Sequence, residues 1–285
     1  MRKPPCRRLL PAGLLCLAAL AILPAGAADG DPAALPAWQV LEYEQQAFFV
    51  TARSRIEVVP DSADPQRWQL TASSAVANNS EEVVLELAAD GSARHRARLS
   101  RGKSNEQRYK TYEYLPEHIL RVRRDPPAGA AAQPPGEWPV SNRRKIAYPP
   151  GADGLPVTDA YALLLLAARF LTSPGAAADV VVNTEFNFYL VRMSRSDGRP
   201  VDASYEVAGG SASTGKRLTR GVTLKVSPLG EQVDKPDFSL LGLGGEITIL
   251  FDEEYVLPLQ LHGTAPRIGP AEINLTRVTL RDPAA

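Results

Sequence analysis

One segment near the middle of this chain is apolar on every side and is bounded by residues that end helices. The segment covers residues 158–172, with Pro156 before it and Pro174 after it. Because proline cannot continue a helix, this framing predicts a helix over residues 158–172. A helix that is hydrophobic all round is buried, and about 15 residues are too few to cross a bilayer, so we expect protein to surround it.

Polar residues at the two ends of this segment agree with the same helix. Thr158 is placed to cap its N-terminus. Asp159 in the first turn and Arg169 near the last turn would complement the helix dipole. We therefore interpret Asp159 and Arg169 as dipole partners and expect no functional site on them.

The first 28 residues have the composition of a secretory signal peptide. Four basic residues precede an apolar run at residues 14–23, and the small residues 25–27 offer a cleavage site. A lipoprotein signal is the alternative, because Cys16 lies in the apolar run, but Leu15 before it is larger than the usual residue. The sequence therefore predicts an exported protein, and its Arg/Ala/Pro-rich composition favours a bacterial periplasm.

The predicted mature chain, residues 29–285, has to be stable without disulfides. Both cysteines, Cys6 and Cys16, lie in the leader, so stability would come from the core alone. Losing the four basic residues of the leader leaves 28 basic against 32 acidic residues, which gives no reason to expect a nucleic-acid partner. We expect one β-rich domain, or two sublobes over residues 29–150 and 151–285.

Most of this chain alternates apolar and polar residues with a period of two, as half-buried β-strands do. The predicted strands cover residues 40–50, 53–59, 67–73, 82–88, 93–99, 108–115 and 118–124 before the helix, and 180–193, 201–208, 216–227, 245–251, 255–262 and 272–281 after it. Residues 89–92 have the composition of a turn, and the Pro-rich residues 125–137 that of a surface loop.

Four parts of the sequence resemble a family of proteobacterial periplasmic proteins, domain of unknown function 3108. They are Leu41-Glu42-Tyr43 in the first strand, the helix at residues 159–171, Leu257-Pro258-Leu259 in a late strand, and the closing strand at residues 273–280. The resemblance implies a mainly β fold in which a curved, half-barrel-like antiparallel sheet wraps around the central helix. In outline such a fold is similar to bacterial carriers of lipids and lipoproteins. The resemblance implies no catalytic residue.

Three motifs have the composition of ligand sites but the wrong surroundings. Residues 210–216 match a phosphate-binding loop up to its lysine, yet Arg217 and a predicted strand follow where Ser or Thr and a helix are needed. Residues 242–245 lead into a strand, which argues against a dinucleotide site. Asp252-Glu253-Glu254, between two strands, is more typical of a solvated hairpin than of a calcium site. We interpret all three as turns.

The three histidines, His95, His118 and His262, are too far apart in the sequence for a short metal or catalytic signature. The predicted mature chain has no thiol, and the sequence contains no G-x-S-x-G nucleophile motif. The sequence therefore predicts no catalytic residue, no metal and no cofactor. An envelope hydrolase or lyase stays open as a less favoured alternative.

Basic residues concentrate between residues 91 and 124, where ten lysines and arginines outnumber three glutamates. Arg94, Arg96 and Arg98 have the same parity, which on a strand predicts that they share one face. Such a basic stripe would suit phosphorylated or carboxylated envelope partners, since arginine binds these groups bidentately. The alternative is that the charges belong to edge strands and discourage aggregation.

These features favour a non-catalytic periplasmic β protein that binds or carries an amphiphilic or lipidic envelope molecule. The predicted ligand-binding residues are Tyr161, Leu164, Leu165 and Phe170 on the helix, with Arg94, Arg96 and Arg98 at the mouth for an anionic head group. Such a site needs apolar surface that the helix does not fill. The alternative is an envelope scaffold or protein-interaction module in which the helix plugs the sheet. Neither interpretation needs a transmembrane span after the leader, and both leave the oligomeric state open.

Overall fold

The computed structural model describes residues 35–281, except 48–49, 65, 103–105, 128–132, 211, 234 and 267. The predicted signal peptide at residues 1–28 and the middle of the Pro-rich loop lie outside the described residues. The described part is mainly β, with 17 strands in one sheet and one α-helix, which confirms the predicted fold class.

The first eight strands form an antiparallel meander in which each strand pairs with the next along the chain. They are β1 (Trp38–Ala47), β2 (Val50–Pro60), β3 (Arg67–Val76), β4 (Asn79–Ala88), β5 (Ala93–Arg101), β6 (Gln107–Tyr114), β7 (His118–Arg124) and β8 (Val140–Ala147). A short 3₁₀ turn at Pro135–Glu137 precedes β8.

The second half contains the helix and nine further strands. They are β9 (Val157–Thr158), α1 (Ala162–Thr172), β10 (Ala177–Asn183), β11 (Phe188–Ser196), β12 (Val201–Val207), β13 (Ala212–Arg217), β14 (Thr219–Leu229), β15 (Gly244–Asp252), β16 (Pro258–Ala265) and β17 (Gly269–Leu280). Neighbours in this half of the sheet follow the order β9, β10, β11, β14, β15, β16, β17, with only the β9–β10 pair parallel.

The two halves of the sheet join where β17 pairs with β1. The β12–β13 hairpin attaches to β17 through a short parallel contact of β12. Within the described residues, β8 at one end of the sheet does not pair with β9 at the other. The sheet is therefore curved but unclosed.

The helix α1 packs against the inner face of this curved sheet. All of its residues except Arg169 and Thr172 are buried, as the all-round apolar pattern predicts. The turn before β5 is shaped to admit the helix, because Gly91 has a φ of 85° and a Cβ at this position would lie 2.4 Å from a methyl carbon of Leu166. Only glycine combines this backbone conformation with so close an approach.

The helix begins at Ala162, four residues later than the sequence predicts. Thr158 belongs to β9, where it pairs with Val182, so it does not cap the helix. Asp159 lies before the first turn and forms an ion pair with Arg96 at 2.7 Å, which corrects its interpretation as a first-turn dipole partner. Arg169 does lie in the last turn.

Two of the predicted strands are divided. The predicted strand at residues 180–193 is the hairpin of β10 and β11. The predicted strand at residues 216–227 is interrupted at Leu218, which is 65% exposed, whereas Val222 and Leu224 are buried. The chain changes partners there, because β13 pairs with β12 and β14 pairs with β11 and β15.

Candidate functional site

An apolar groove lies at the C-terminal end of the helix. Its volume is about 690 Å³, within the range of roughly 300–1,000 Å³ that is typical of small-molecule sites. The walls come from the helix, from β10 and β11, from the segment before β1, and from the loop between β15 and β16. The apolar side chains that line it include Leu35, Leu166, Phe170, Val180, Met193 and Val256.

The loop between β15 and β16 holds one wall of the apolar groove in a strained conformation. Val256 has a φ of 53°, a region that a β-branched residue rarely occupies and that costs of order 1–3 kcal/mol. The loop is held by Asp252, whose Oδ1 accepts hydrogen bonds from the backbone N–H groups of Tyr255 (3.2 Å) and Leu257 (2.7 Å). Strain of this kind concentrates at functional sites.

Asp252 itself is buried, and burial raises the pKa of its carboxyl group. The prediction of a solvated hairpin at residues 252–254 is therefore wrong for its first residue. The two glutamates that follow Asp252 are exposed, as that prediction requires.

The structure separates the four helix residues that the sequence assigned to one ligand site. Phe170 lines the apolar groove. Tyr161 lies at the other end of the helix and lines a different cavity. Leu164 and Leu165 are 0% exposed in the protein core, and they line neither cavity. The middle of the helix therefore fills the sheet, and open space remains at its ends.

The second cavity, at the N-terminal end of the helix, is polar. Its volume is about 550 Å³, and Tyr161 shares its wall with charged side chains. The arginines that line it are paired with carboxylates: Arg53 with Glu44, Arg96 with Asp159, and Arg98 with Glu81. These ion pairs neutralise the arginines, so this polar cavity offers less attraction to a charged ligand than its residue types suggest.

The predicted basic stripe of Arg94, Arg96 and Arg98 is not a surface feature. A β-bulge interrupts the pairing of β4 with β5, where Ala93 pairs with Leu87 but His95 pairs with Glu86. Arg94 is thus an extra residue, and the parity of the strand changes after it. Arg94 is exposed, Arg96 is only 1% exposed, and Arg98 is partly buried, so the three do not form one exposed face.

The buried arginines belong to a larger set that crosses the inner face of β5 to β8. Residues that lie side by side on these strands form two cross-strand rows, one with Arg96, Tyr112, Arg121 and Arg144, the other with Arg98, Lys110, Arg123 and Asn142. We call the six basic members the cationic rows. Like charges placed directly opposite one another destabilise a sheet, so these rows need counter-charges.

The turn between β10 and β11 supplies part of that counter-charge. Glu185 in this turn accepts hydrogen bonds from Lys110 and Arg121, each at 2.5 Å. The ring of Phe186 lies beneath two guanidinium groups, those of Arg121 at 4.8 Å and Arg144 at 4.5 Å from its centre. The cationic rows therefore hold the turn of the second half of the chain against the sheet of the first.

Replacing Glu185 with glutamine is expected to change how stability depends on pH. Burial alone would raise the pKa of Glu185, but the hydrogen bonds and charges of Lys110 and Arg121 outweigh it and hold the pKa below its ordinary value. A carboxylate with a lowered pKa stabilises the folded state above its unfolded pKa, about 4.3 for glutamate, and loses this effect as pH falls through the folded pKa. Urea unfolding at several pH values should give the wild type a larger free energy of unfolding than E185Q at neutral pH. This difference should shrink as the pH is lowered. Parallel curves would contradict this assignment.

The two glycine-rich motifs and the three histidines lie on strands and turns of the sheet. Residues 212–217 form a strand of the β12–β13 hairpin, and Leu240 to Leu243 form a turn that leads into β15. His95, His118 and His262 lie on β5, β7 and β16. No group of three or more His, Cys, Asp or Glu side chains in the described ranges is arranged to hold a metal ion.

Several residues around the two cavities and the cationic rows were not singled out from the sequence. Met193 and Val256 line the apolar groove, while Lys110, Glu185 and Phe186 fix the β10–β11 turn. A signal for the turn exists in the sequence, because Glu185 and Phe186 lie between Asn183 and Asn187, and asparagine favours turns. Its partners on β6 and β7 have no such signal.

Within the described residues, no helix is long and apolar enough to cross a membrane.

Comparison with known proteins supports the fold and assigns no activity. No family model and no curated protein sequence matches the chain. A crystal structure of a β-barrel-like protein of domain of unknown function DUF1849 from Brucella abortus is similar, with a TM-score of 0.50, 9% identity, and coverage of 87% of this chain and 98% of that chain. This likeness supports a β-rich domain of unknown function and does not single out family 3108.

Proposed function

We propose that the protein binds an amphiphilic molecule whose apolar part lies in the apolar groove. The observation that supports this is the groove itself, about 690 Å³ in volume and lined by side chains such as Leu166, Phe170 and Met193. A concave apolar site of this size is the usual form of a small-molecule site. The strained Val256 in its wall is a second indication.

The groups at the mouth of the apolar groove favour a neutral, zwitterionic or cationic head group. Asp90 and Glu254 are its carboxylates. Its arginine, Arg169, donates a hydrogen bond to the carbonyl oxygen of Ala89 at 2.7 Å and stacks on Trp68 at 4.7 Å, so it is committed to the protein. The expected anionic head group beside Arg94, Arg96 and Arg98 does not fit this mouth, because none of the three lines the groove.

Export to the periplasm is part of this proposal, since the leader-like residues 1–28 support it. Kinship with domain of unknown function 3108 is also part of it. Its support is that Leu41-Glu42-Tyr43 falls in β1 and Leu257-Pro258-Leu259 leads into β16, in a fold of the implied kind.

The substitution Ala178→Trp is expected to abolish binding by filling the apolar groove. Ala178 lines the groove on β10, opposite Met193, and a tryptophan there would occupy the space of an alkyl chain. The preceding residue, Ala177, is exposed on the other face of the strand, so Ala177→Trp is a matched control. The probes are dodecyl maltoside and dodecyltrimethylammonium below their micelle concentrations, with the thermal midpoint as readout.

Wild type and A177W should be stabilised by these probes, by about 2.7 kcal/mol at a hundred times the Kd, and A178W should not. Native mass spectrometry of protein purified from its own envelope, followed by lipid extraction, should detect a bound lipid. The proposal is wrong if no lipid co-purifies and neither probe shifts the midpoint of the wild type.

An interaction module without a ligand is the second candidate. The observation that favours it is that Leu164 and Leu165 are fully buried, so the helix fills the centre of the sheet. In that case the apolar groove would be covered by a protein partner, and no amphiphile would stabilise the chain.

A further inference from the structure

A second concave surface lies at the free end of the sheet, away from the apolar groove. It has a volume of about 520 Å³, and its walls come from β7, β8 and the β10–β11 turn. Three arginines line it, Arg121, Arg123 and Arg144, together with the side chains of Ser141 and Asn142. We call this surface the arginine concavity.

Positive charge exceeds negative charge at the arginine concavity. The lining cations are Arg121, Arg123 and Arg144, and the lining carboxylates are Asp125 and Glu185, a net charge of +1. Lys110 lies beside the concavity and shares Glu185 with Arg121, and including it raises the net charge to +2. This excess distinguishes it from the polar cavity at the helix N-terminus, where each lining arginine has its own carboxylate.

Two of the arginines retain donors that the protein does not use. Within the described part of the chain, no carboxylate lies within 4 Å of Arg144, whose guanidinium stacks on Phe186 at 4.5 Å. Arg123 donates its Nε to Asp125 Oδ1 at 2.9 Å, and its Nη groups have no hydrogen-bond partner among the described residues. A stacked guanidinium keeps its in-plane N–H groups available, and these match the oxygens of a phosphate.

We propose that the arginine concavity binds a phosphate group, with Arg144 and Arg123 as the principal donors and Phe186 fixing the plane of Arg144. The site is separate from the apolar groove and does not depend on the function proposed for it. The phosphate could belong to the head group of an anionic phospholipid or to a soluble phosphorylated molecule, and the chemistry of recognition is the same for both.

Protection of an exposed edge is the competing explanation, since β8 is an edge strand and lysine or arginine on an edge discourages aggregation. The strand offers an internal comparison. Arg144 lies in register with Arg121 on the inner face, whereas its neighbour Lys145 pairs with Leu120 on the other face. Both β8 residues are exposed and carry one positive charge, so edge protection predicts the same effect for both, and a phosphate site predicts an effect of Arg144 alone.

The test is calorimetric titration of the protein with inorganic phosphate at constant ionic strength. The variant R144Q should weaken phosphate binding about tenfold or more, because it removes charge-assisted hydrogen bonds, and R123Q should act in the same direction. The control K145Q should leave the Kd within about twofold of the wild type. Absence of phosphate binding by the wild type, equal losses in R144Q and K145Q, or no loss in R144Q and R123Q would each overturn the proposal.

Co-sedimentation with vesicles distinguishes the two sources of the phosphate. Vesicles of phosphatidylglycerol that bind wild type and K145Q but not R144Q, with no binding to phosphatidylcholine, would identify a lipid head group. Phosphate binding that depends on Arg144 without any binding to vesicles would identify a soluble phosphorylated ligand. Both outcomes support the phosphate site, and each identifies the kind of molecule that carries the phosphate.

Discussion

Replacing Arg96 with methionine is expected to lower the free energy of unfolding by about 3–5 kcal/mol, because the change leaves the partners of a buried charge uncompensated. Arg96 is 1% exposed. Its Nη1 donates to Asp159 Oδ2 and to the carbonyl oxygen of Asn183, each at 2.7 Å, and its Nη2 donates to Asn183 Oδ1 at 3.1 Å. The guanidinium also lies 3.7 Å from the ring centre of Tyr112.

Urea unfolding of R96M, R94M and the double variant R96M/D159L measures this effect. Arg94 is exposed in the adjacent bulge, so R94M should cost less than about 0.5 kcal/mol. The double variant should recover part of the loss, since a buried ion pair can be replaced by apolar groups more readily than it can be broken. If R96M and R94M had equal stabilities, the hydrogen bonds of Arg96 to Asp159 and Asn183 would not contribute the stability expected of them.

Truncating Leu164 to alanine is expected to cost about 2–5 kcal/mol, the range for a large-to-small change in a packed core. Leu164 is 0% exposed at the centre of the helix. Leu166, one half-turn further on, lines the apolar groove, so part of its surface already lacks packing partners. The same truncation at Leu166 is therefore expected to cost less.

Comparison of L164A with L166A by urea unfolding tests which part of the helix is fully packed inside the sheet and which part borders the apolar groove. A matched pair on one helix keeps helix propensity constant, because both changes are from leucine to alanine. Equal losses at the two positions would mean that the groove is filled in solution. L166A should also enlarge the groove and accept longer alkyl probes than the wild type does.

Local patterns account for most of the fold that the sequence predicts. The period-two alternation places β7 at its observed bounds and puts most other strands within a few residues of theirs. The all-round apolar helix is likewise a local signal, and its buried residues agree with it. Its first turn is misplaced because Thr158 pairs with β10, a contact between separate segments that overrides the local cap preference.

The burial of Arg96 could not be predicted from the sequence because it depends on one inserted residue in β5. With a regular strand, Arg94, Arg96 and Arg98 share a face; with the bulge at Arg94, Arg96 turns into the core. The partners of Arg96 are Asp159, 63 residues away, and Asn183, 87 residues away. No pattern within β5 contains this information.

The apolar groove is similarly beyond prediction from local patterns. Its lining residues range from Leu35 to Val256 and come from six separate segments. The sequence shows that these residues are apolar, but it does not show that Leu164 is enclosed while Leu166 and Phe170 border open space. That distinction arises from the way the curved sheet passes around the ends of a short helix.

The pairing of β1 with β17 has a consequence for how the chain folds. Glu42 and Thr276, which are hydrogen-bonded through the carbonyl oxygen of Glu42 and the hydroxyl of Thr276, are 234 residues apart in the sequence. The β1–β8 meander needs only local contacts, but the strand pairing that joins it to the second half of the sheet requires β17, the last strand of the described chain. Such distant pairings slow folding. Until the twelve residues of β17 are available, β1 presents an open strand edge, so the nascent protein is most prone to aggregation late in its folding.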